Sequence, residues 1–293
     1  MAFKPKNSNI TRNDNFEPRN YPVPKAGSRK ARVSLIVDLG TQEREDFEDE
    51  KTGEVKPQKP CHQVAVFADL VADKVDYGGD IGEQHYRLCL NKTFSGELVG
   101  VNFTATPPKD NKGNTIAGKP WGFHPQNLLT KLAKAVGKPE VVETMDIEEL
   151  LDMPFMATVE VKEKDSEKED KDGNPIIYRN VNYKGASEVP EVEDDDGNSK
   201  PMAVAKLAQK ARLVTFDNAT VEDIKFLRQN IRNKIKLAKD YAGSNIEKAI
   251  QEFEAEQASK PADEPKEQDK PKTASSKKTK PPVEDIDESE SPF

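Results

Sequence analysis

The stretch Lys30-Ala31-Arg32-Val33-Ser34-Leu35-Ile36-Val37-Asp38-Leu39 decides the fold class, because apolar side chains recur in it at every second position. The odd-numbered residues from Val33 to Leu39 are all apolar, whereas polar residues fall among the even-numbered ones. This alternation is typical of a half-buried β-strand. We therefore predict a first strand here, with the odd-numbered residues on one face.

Similar patterns follow on the C-terminal side of this stretch. Strands are predicted over 61–72, 84–92, 98–106, 155–162 and 176–184, with a hairpin turn at Asp172-Gly173-Asn174 before the last one. A helix is predicted from Asn127 to Val136, ended by Gly137. Several strands, one helix and a closing hairpin suit a five-stranded Greek-key barrel of the OB type, so the fold class is expected to be mainly β.

Outside the barrel the composition changes along the chain. The organisation we predict is a flexible basic arm at 1–28, an OB-type domain at 29–187, an acidic irregular connector at 188–219, a helical segment at 220–257, a disordered Lys/Pro linker at 258–282 and an acidic tail at 283–293. The helical segment starts at a capping-box pair, Thr220 with Asp223, and contains helices predicted over 221–239 and 245–256. Its helices could pack on the barrel or mediate self-association, so an oligomer is possible.

Charge is unevenly distributed in this chain of 293 residues, whose net charge is -8. The first 37 residues carry eight lysines and arginines against two acids, a net charge of +6. The last eleven residues carry five acids and neither lysine nor arginine. A concentrated basic arm beside the first strand favours contact with a polyanion, although a merely solubilising arm is the alternative.

Three stretches together resemble the single-stranded DNA-binding proteins of tailed bacteriophages. They are Ala31–Gln42, the hairpin at 154–183, and the run from Phe216-Asp217-Asn218-Ala219 through Asn230–Ile235 to Asp240–Ser244. The closing Asp287–Phe293 is similar to the acidic tip, ending in Pro-Phe, of bacterial single-strand-binding proteins. The resemblance implies a protein that coats and protects single-stranded DNA in phage DNA replication, recombination and repair, in the cytoplasm of the infected bacterial host. It also implies that the tail recruits polymerase, primase, helicase or recombinase.

Binding single strands without sequence preference requires cations for the phosphates and flat side chains for the bases. The candidate DNA-binding residues are Arg29, Lys30, Arg32, His85, Arg87, Lys119, Trp121, Phe123, His124, Tyr178, Arg179 and Lys184. Trp121, the only tryptophan, is the first choice for base stacking, and plugging one end of the barrel is its alternative role. Tyr86, Phe103 and Phe155 fall on the apolar side of their strands and are predicted to be core residues.

The acidic tail is predicted to bind partner proteins and to compete with DNA for the basic groove. Its candidate partner-binding residues are Asp285, Asp287, Glu288, Glu290, Pro292 and Phe293. A terminal aromatic ring beside a carboxylate is the kind of group that an apolar, basic-rimmed pocket captures. The alternatives for the whole protein are an interaction adaptor built on an OB barrel and a strand-annealing recombination factor.

Catalysis, cofactors and a membrane location are not expected. The sequence has three histidines and no HExxH, phosphate-loop or GxSxG motif, so we expect neither an enzyme nor a bound metal or cofactor. Cys61 and Cys89 lack the spacing of a zinc site and are predicted to be buried, reduced thiols. No stretch reaches the roughly 18 apolar residues of a membrane helix, so a soluble protein is expected.

Overall fold

Strand β1, Gly27–Gln42, contains the alternating stretch and lies at the centre of the sheet in a computed structural model of the chain. The structure describes residues 23–49, 52–76, 83–91, 98, 100–103, 112, 114, 122–169, 175–194 and 196–259. Most of the predicted basic arm, the turn at 172–174 and nearly all of the linker and tail lie outside the described residues.

The described chain is mainly β, as predicted. The remaining strands are β2 Phe47–Glu48, β3 Val55–Lys56, β4 Cys61–Asp76, β5 Glu83–Cys89, β6 Val101–Asn102, β7 Pro154–Glu169, β8 Pro175–Ser187, β9 Glu191–Glu193, β10 Ser199–Pro201 and β11 Arg212–Val214. The helices are α1 Leu128–Ala135, α2 Val141–Thr144, α3 Val221–Lys225, α4 Gln229–Ile235 and α5 Asn245–Ser259, with a 3-10 turn at Ile147–Leu150.

The main sheet follows the order β5-β4-β1-β7-β8, and each pair of neighbours along this path is antiparallel. Two short strands extend it: β6 pairs with β4, and β11 pairs with β1 in parallel. The end strands β5 and β8 approach each other, but no ladder joins them within the described residues. The structure is thus a large antiparallel sheet that is not closed, and closure into a five-stranded barrel is not observed.

A bulge in β1 corrects the simple alternation expected from the sequence. The register with β4 shifts between Val33 and Leu35, so Val33 and Ile36 face one apolar cluster whereas Leu35, Val37 and Leu39 face the other. The sheet is therefore covered on both faces, which explains why the run from Val33 to Val37 is completely buried. The prediction that all odd-numbered residues share one face is wrong for Val33.

The two faces are covered by different parts of the chain. Side chains of α1, α2 and the 3-10 turn pack on the first face, among them Leu132, Val141 and Leu150. Side chains of α3, α4 and α5 pack on the second face, among them Ile224 and Ile231. Of the two arrangements considered for the helical segment, packing on the sheet is thus the one observed.

Two boundaries differ from the sequence predictions. The single helix expected over 221–239 is broken into α3 and α4, because Arg228 has an extended backbone with ψ at 154° and starts a new helix. The connector predicted at 188–219 contributes β11 to the main sheet, so the β-domain does not end at residue 187. By contrast, the Ser244 hydroxyl accepts a hydrogen bond from the Glu247 amide at the start of α5, as a cap should.

Candidate nucleic-acid interface

A cleft of about 730 Å³ lies on the second face of the sheet, next to the region covered by the C-terminal helices. Its floor is formed by side chains of β4 and β5, and its wall by residues 208–209 and by the turn between α3 and α4. The charged and histidine side chains that line it are Asp69, Lys74, Glu83, His85, Arg87, Lys225 and Arg228. Four of these are permanent cations and two are acids, so the lining is basic on balance.

The centre of the floor is a cross-strand row of polar side chains. Asp69 on β4 lies opposite Arg87 on β5, and the Arg87 Nε atom donates to Asp69 Oδ1 at 2.9 Å. The same oxygen accepts a hydrogen bond of 2.7 Å from the Ser34 hydroxyl of β1. Because the Asp69 carboxylate is nearly buried, this pair fixes the Arg87 guanidinium in the cleft.

A bulge of three residues in β4 shapes the far end of the floor. The ladder with β5 continues from Leu70 opposite Tyr86 to Lys74 opposite His85, which leaves residues 71–73 unpaired on β4. Side chains alternate between the two faces of a sheet, so three extra residues place Lys74 on the opposite face from the one it would occupy in a regular strand. Lys74 therefore lines the cleft together with His85. The Lys74 ammonium also lies 3.2 Å from the Glu83 carboxylate.

The wall adds a cation, Arg228, that has no partner in the part of the chain that the structure describes. Lys225 lies 2.6 Å from Glu222, whereas the Arg228 guanidinium makes no hydrogen bond or ion pair with any residue that the structure describes. Arg228 also lines a smaller adjoining pocket of about 120 Å³ at the gap between β5 and β8. It therefore projects where the two cavities meet.

An aromatic ring accompanies these cations. Phe226, in the turn before Arg228, lines the cleft, and the Arg212 guanidinium lies 3.9 Å from the centre of its ring. Arg212 is itself held by Asp223 at 2.8 Å. The ring and the guanidinium together form a flat, partly exposed surface, the kind of surface on which a base can stack.

Most of the predicted cations of β1 are engaged in structural contacts. Arg29 donates to the carbonyl oxygens of Lys25 and Ala26. Lys30 and Arg32 donate to carbonyl oxygens of residues 203–205, and Arg32 also pairs with Asp152. The Arg32 side chain is only 16% exposed and has several partners, so it does not fit the predicted role of a phosphate ligand.

Phe123 and His124, the two predicted residues before α1 that the structure describes, do not line the cleft. Phe123 is 1% exposed and packs edge-on against Phe103, so its assignment as a stacking residue is wrong and it belongs to the core. His124 is exposed, and its Nδ1 atom accepts a hydrogen bond from the Gln126 amide. Lys119 and Trp121 lie outside the described residues.

The candidates on β8 lie on a different strand from the floor of the cleft. Tyr178 is 46% exposed and Arg179 pairs with Glu163 at 2.7 Å across the β7–β8 ladder. Lys184 pairs with Glu160 at 3.1 Å. Of the ten DNA-binding candidates that the structure describes, only His85 and Arg87 line the cleft, and the six partner-binding candidates of the tail lie outside the described residues.

Sequence reasoning missed Lys74, Lys225, Phe226 and Arg228. Lys74 is placed by a bulge that interrupts the expected strand, and the other three were assigned to one continuous amphipathic helix. The run from Val221 to Lys239 contains neither proline nor glycine, so no local signal marked the interruption between α3 and α4.

The core predictions fare better. Phe155 is completely buried, and Tyr86 and Phe103 are partly buried against the first cluster. Both cysteines are free thiols; Cys61 is buried and Cys89 half-buried. Burial is also the main reason why the pKa of the Cys61 thiol is raised.

Comparison with family models, curated proteins and solved structures finds no match to this chain. In the part of the chain that the structure describes, no three His, Cys, Asp or Glu side chains are grouped to hold a metal ion. No helix among the described residues combines the length and apolar character needed to span a membrane.

Proposed function

We propose that the chain is a single-stranded DNA-binding protein, and the basic cleft over β4 and β5 is the observation that carries this proposal. The cleft combines paired cations on the sheet, Arg228, which has no partner among the residues that the structure describes, and the flat surface of Phe226. These are the two kinds of group, cationic and planar, that sequence-independent binding of single strands needs.

The order of the strands supports an OB-type core. The five long strands β1, β4, β5, β7 and β8 follow one another along the chain, and their spatial order is third, second, first, fourth, fifth. The helix α1 falls between the third and the fourth, as in a Greek-key barrel of this type. In OB folds the second and third strands bind oligonucleotides, and these are β4 and β5 here.

In the proposed function the protein coats and protects single strands during replication, recombination and repair of a phage genome in the host cytoplasm. The cleft would hold phosphates on Lys74, Lys225 and Arg228 while Arg87 stays fixed by Asp69. Because none of these groups reads a base edge through a paired hydrogen-bond pattern, binding would tolerate any sequence.

The deciding experiment compares Arg228→Gln with Lys131→Gln. Both remove one charge from an exposed side chain without a described partner, but Lys131 lies on α1, away from the cleft. The affinity for fluorescein-labelled oligo(dT) is measured by anisotropy at several salt concentrations. We expect Arg228→Gln to weaken binding about three- to tenfold and to reduce the salt slope by about 0.7, the value for one phosphate contact on a single strand. Equal effects of the two substitutions would contradict the proposed site.

The acidic tail is proposed to recruit replication proteins and to compete with DNA for the cleft. Its five acids are opposite in sign to the net charge of the cleft. The linker before the tail is long enough to let it reach many positions on the protein. Deletion of 283–293 is expected to tighten oligo(dT) binding at low salt and to abolish capture of the phage or host polymerase, primase-helicase or recombinase. Unchanged DNA affinity together with retained capture would contradict both roles.

A further inference from the structure

Residues 203–211 form a segment without helix or strand on the second face of the sheet, which we call the strap. It separates two cavities, because Ala208 and Gln209 line both the basic cleft and a second cleft of about 820 Å³ on the other side. The second cleft is bounded by the 3-10 turn, by β11 and by Asp223. The strap is therefore a partition between two grooves rather than a lining of one.

Within the described residues, hydrogen bonds attach the strap to the sheet at its two ends but not in its middle part. At its start Lys30 Nζ donates to the Ala203 carbonyl at 2.9 Å, and Arg32 donates to the carbonyls of Val204 and Ala205. At its end it continues into β11, which is hydrogen-bonded to β1. Between these points, residues 206–210 make no hydrogen bond to any residue that the structure describes.

The free part of the strap is basic and exposed. Lys206 and Lys210 are exposed, and neither ammonium has a partner among the described residues. A segment with few apolar contacts and unbonded backbone opens locally at a much lower free energy than the sheet beneath it. Both lysines line the second cleft, where Glu148, Asp152 and Asp223 lie, and Ala208 and Gln209 between them line the basic cleft.

We propose that the strap is a hinged clamp for single-stranded DNA: it lifts to admit the strand, closes over it, and brings Lys206 and Lys210 onto the phosphates. This inference rests on the proposed function and adds the regulation of that site. Lifting the partition joins the two clefts into one trough long enough for a strand to lie across β1, β4 and β5. Lys30, expected from the sequence to contact phosphate, then acts instead as the latch of the strap.

The variant Lys30→Met distinguishes two roles of Lys30, holding the strap and binding a phosphate directly. It keeps the aliphatic stem but removes the donor to Ala203, so the strap should open more often. Stopped-flow binding of fluorescein-labelled oligo(dT) is expected to show association and dissociation both faster by about three- to tenfold, with the salt slope unchanged. Loss of a direct phosphate contact would instead weaken binding and lower the slope. Lys131→Met, which removes one exposed charge on α1 without touching the strap or the cleft, is the control and should leave both rates unchanged.

Limited trypsin digestion reports on the strap itself, since the enzyme cleaves after Lys206 and Lys210. Mass spectrometry of the two cleavage products is expected to show that oligo(dT) slows this cleavage at least about fivefold, and that Lys30→Met accelerates it without DNA. Failure of the wild-type chain to bind oligo(dT) would overturn both the proposed function and the clamp. Binding with strap cleavage unaffected by DNA, or with rates unaltered in Lys30→Met, would overturn the clamp alone.

Discussion

At the scale of single residues, Gly40 illustrates how closely the C-terminal segment approaches β1. Its φ is +69°, and an added Cβ would lie 2.5 Å from Asp240 Oδ1 and from the Phe216 ring, and 2.7 Å from Ala238. The Thr41 amide and hydroxyl next to it both donate to the Asp240 carboxylate. The absence of a side chain at Gly40 thus lets α4 and its following turn dock on the sheet.

Gly40→Ala is expected to lower the free energy of unfolding by about 2 to 4 kcal/mol, because it adds a steric clash to an unfavourable φ. Urea denaturation followed by circular dichroism measures the change. Gly53→Ala is the matched control: its φ is +67°, but nothing lies within 4 Å of the added Cβ, so about 1 kcal/mol is expected. Equal losses in both variants would show that the close approach at Gly40 does not exist.

His62 gives the fold a pH dependence of known sign. Its Nε2 atom lies 2.8 Å from Asp38 Oδ1, and this hydrogen bond raises the pKa of His62 above the ordinary value of 6.5, while partial burial opposes the shift. A raised pKa in the folded state means that the stabilisation is complete below 6.5 and is lost as the pH rises through the folded value.

The urea midpoint of the wild-type chain is therefore expected to fall as the pH rises from about 6 to 8, and that fall should be smaller in His62→Gln. The comparison isolates one group, since both proteins share every other titrating side chain. A wild-type midpoint that rises over this range relative to the variant would contradict the assigned pair.

Single residues also show where sequence reasoning succeeds. The burial of Phe155 followed from its position in an alternating strand, because parity alone decides which side chains face the core. Phe123 does not lie in an alternating stretch, so no sequence period indicates which way its side chain faces. The glycine and proline beside it are typical of an exposed loop. Its burial results from Phe103 and α1, contacts that no local pattern could reveal.

At the scale of elements, α3 depends on its N-terminus. The Thr220 hydroxyl accepts a hydrogen bond from the Asp223 amide. The Asp223 carboxylate accepts hydrogen bonds from the Thr220 hydroxyl, from Arg212 and from the Thr220 amide. Burial alone would raise the pKa of Asp223, but these hydrogen bonds outweigh it and the pKa is lowered. The contribution of this carboxylate is thus present above 3.8 and is lost as the pH falls through its lower folded value.

Thr220→Ala is expected to cost about 1 kcal/mol, the usual value of an N-cap, and Asp223→Asn about 1 to 3 kcal/mol because Arg212 also loses its ionic partner. Thermal and urea unfolding measure both. Thr52→Ala, in the exposed turn between β2 and β3, serves as the control with an expected change below about 0.5 kcal/mol. A loss in Thr220→Ala no greater than in this control would mean that the cap does not hold α3.

The elements differ in how far the sequence predicts them. The long strands and α1 were predicted because each has its own period and turn signals. Strand β11 could not be predicted, since three residues carry no period and the strand with which it pairs, β1, lies about 175 positions away in the chain. The cleft was likewise predicted only in part. Its floor belongs to strands whose alternating sequence predicts them, whereas its wall belongs to a helix interruption and to the strap, which have no periodic sequence pattern.

At the scale of the whole molecule, the sheet and the C-terminal helices share one apolar cluster and should unfold together. Ile231 of α4 is 2% exposed in that cluster, whereas Leu237, just beyond α4, is 70% exposed. Ile231→Ala is expected to lower the free energy of unfolding by about 2 to 4 kcal/mol, and Leu237→Ala by less than about 0.5 kcal/mol.

Hydrogen exchange read by mass spectrometry checks both magnitude and cooperativity. In Ile231→Ala, the most protected amides of β1 and β4 should lose the same free energy of opening as those of α5. Protection that falls only in the helices would indicate an independent helical domain and contradict a shared core.

The central position of β1 has a consequence for synthesis on the ribosome. This strand leaves the exit tunnel early, but β4, β7 and β11, the strands that pair with it, follow over the next 170 or so residues. At about 5 to 20 residues per second, this apolar strand waits roughly ten to thirty seconds for its last neighbour. During that interval its pairing is incomplete, so we expect newly made chains to engage ribosome-associated chaperones and slowed translation to increase aggregation.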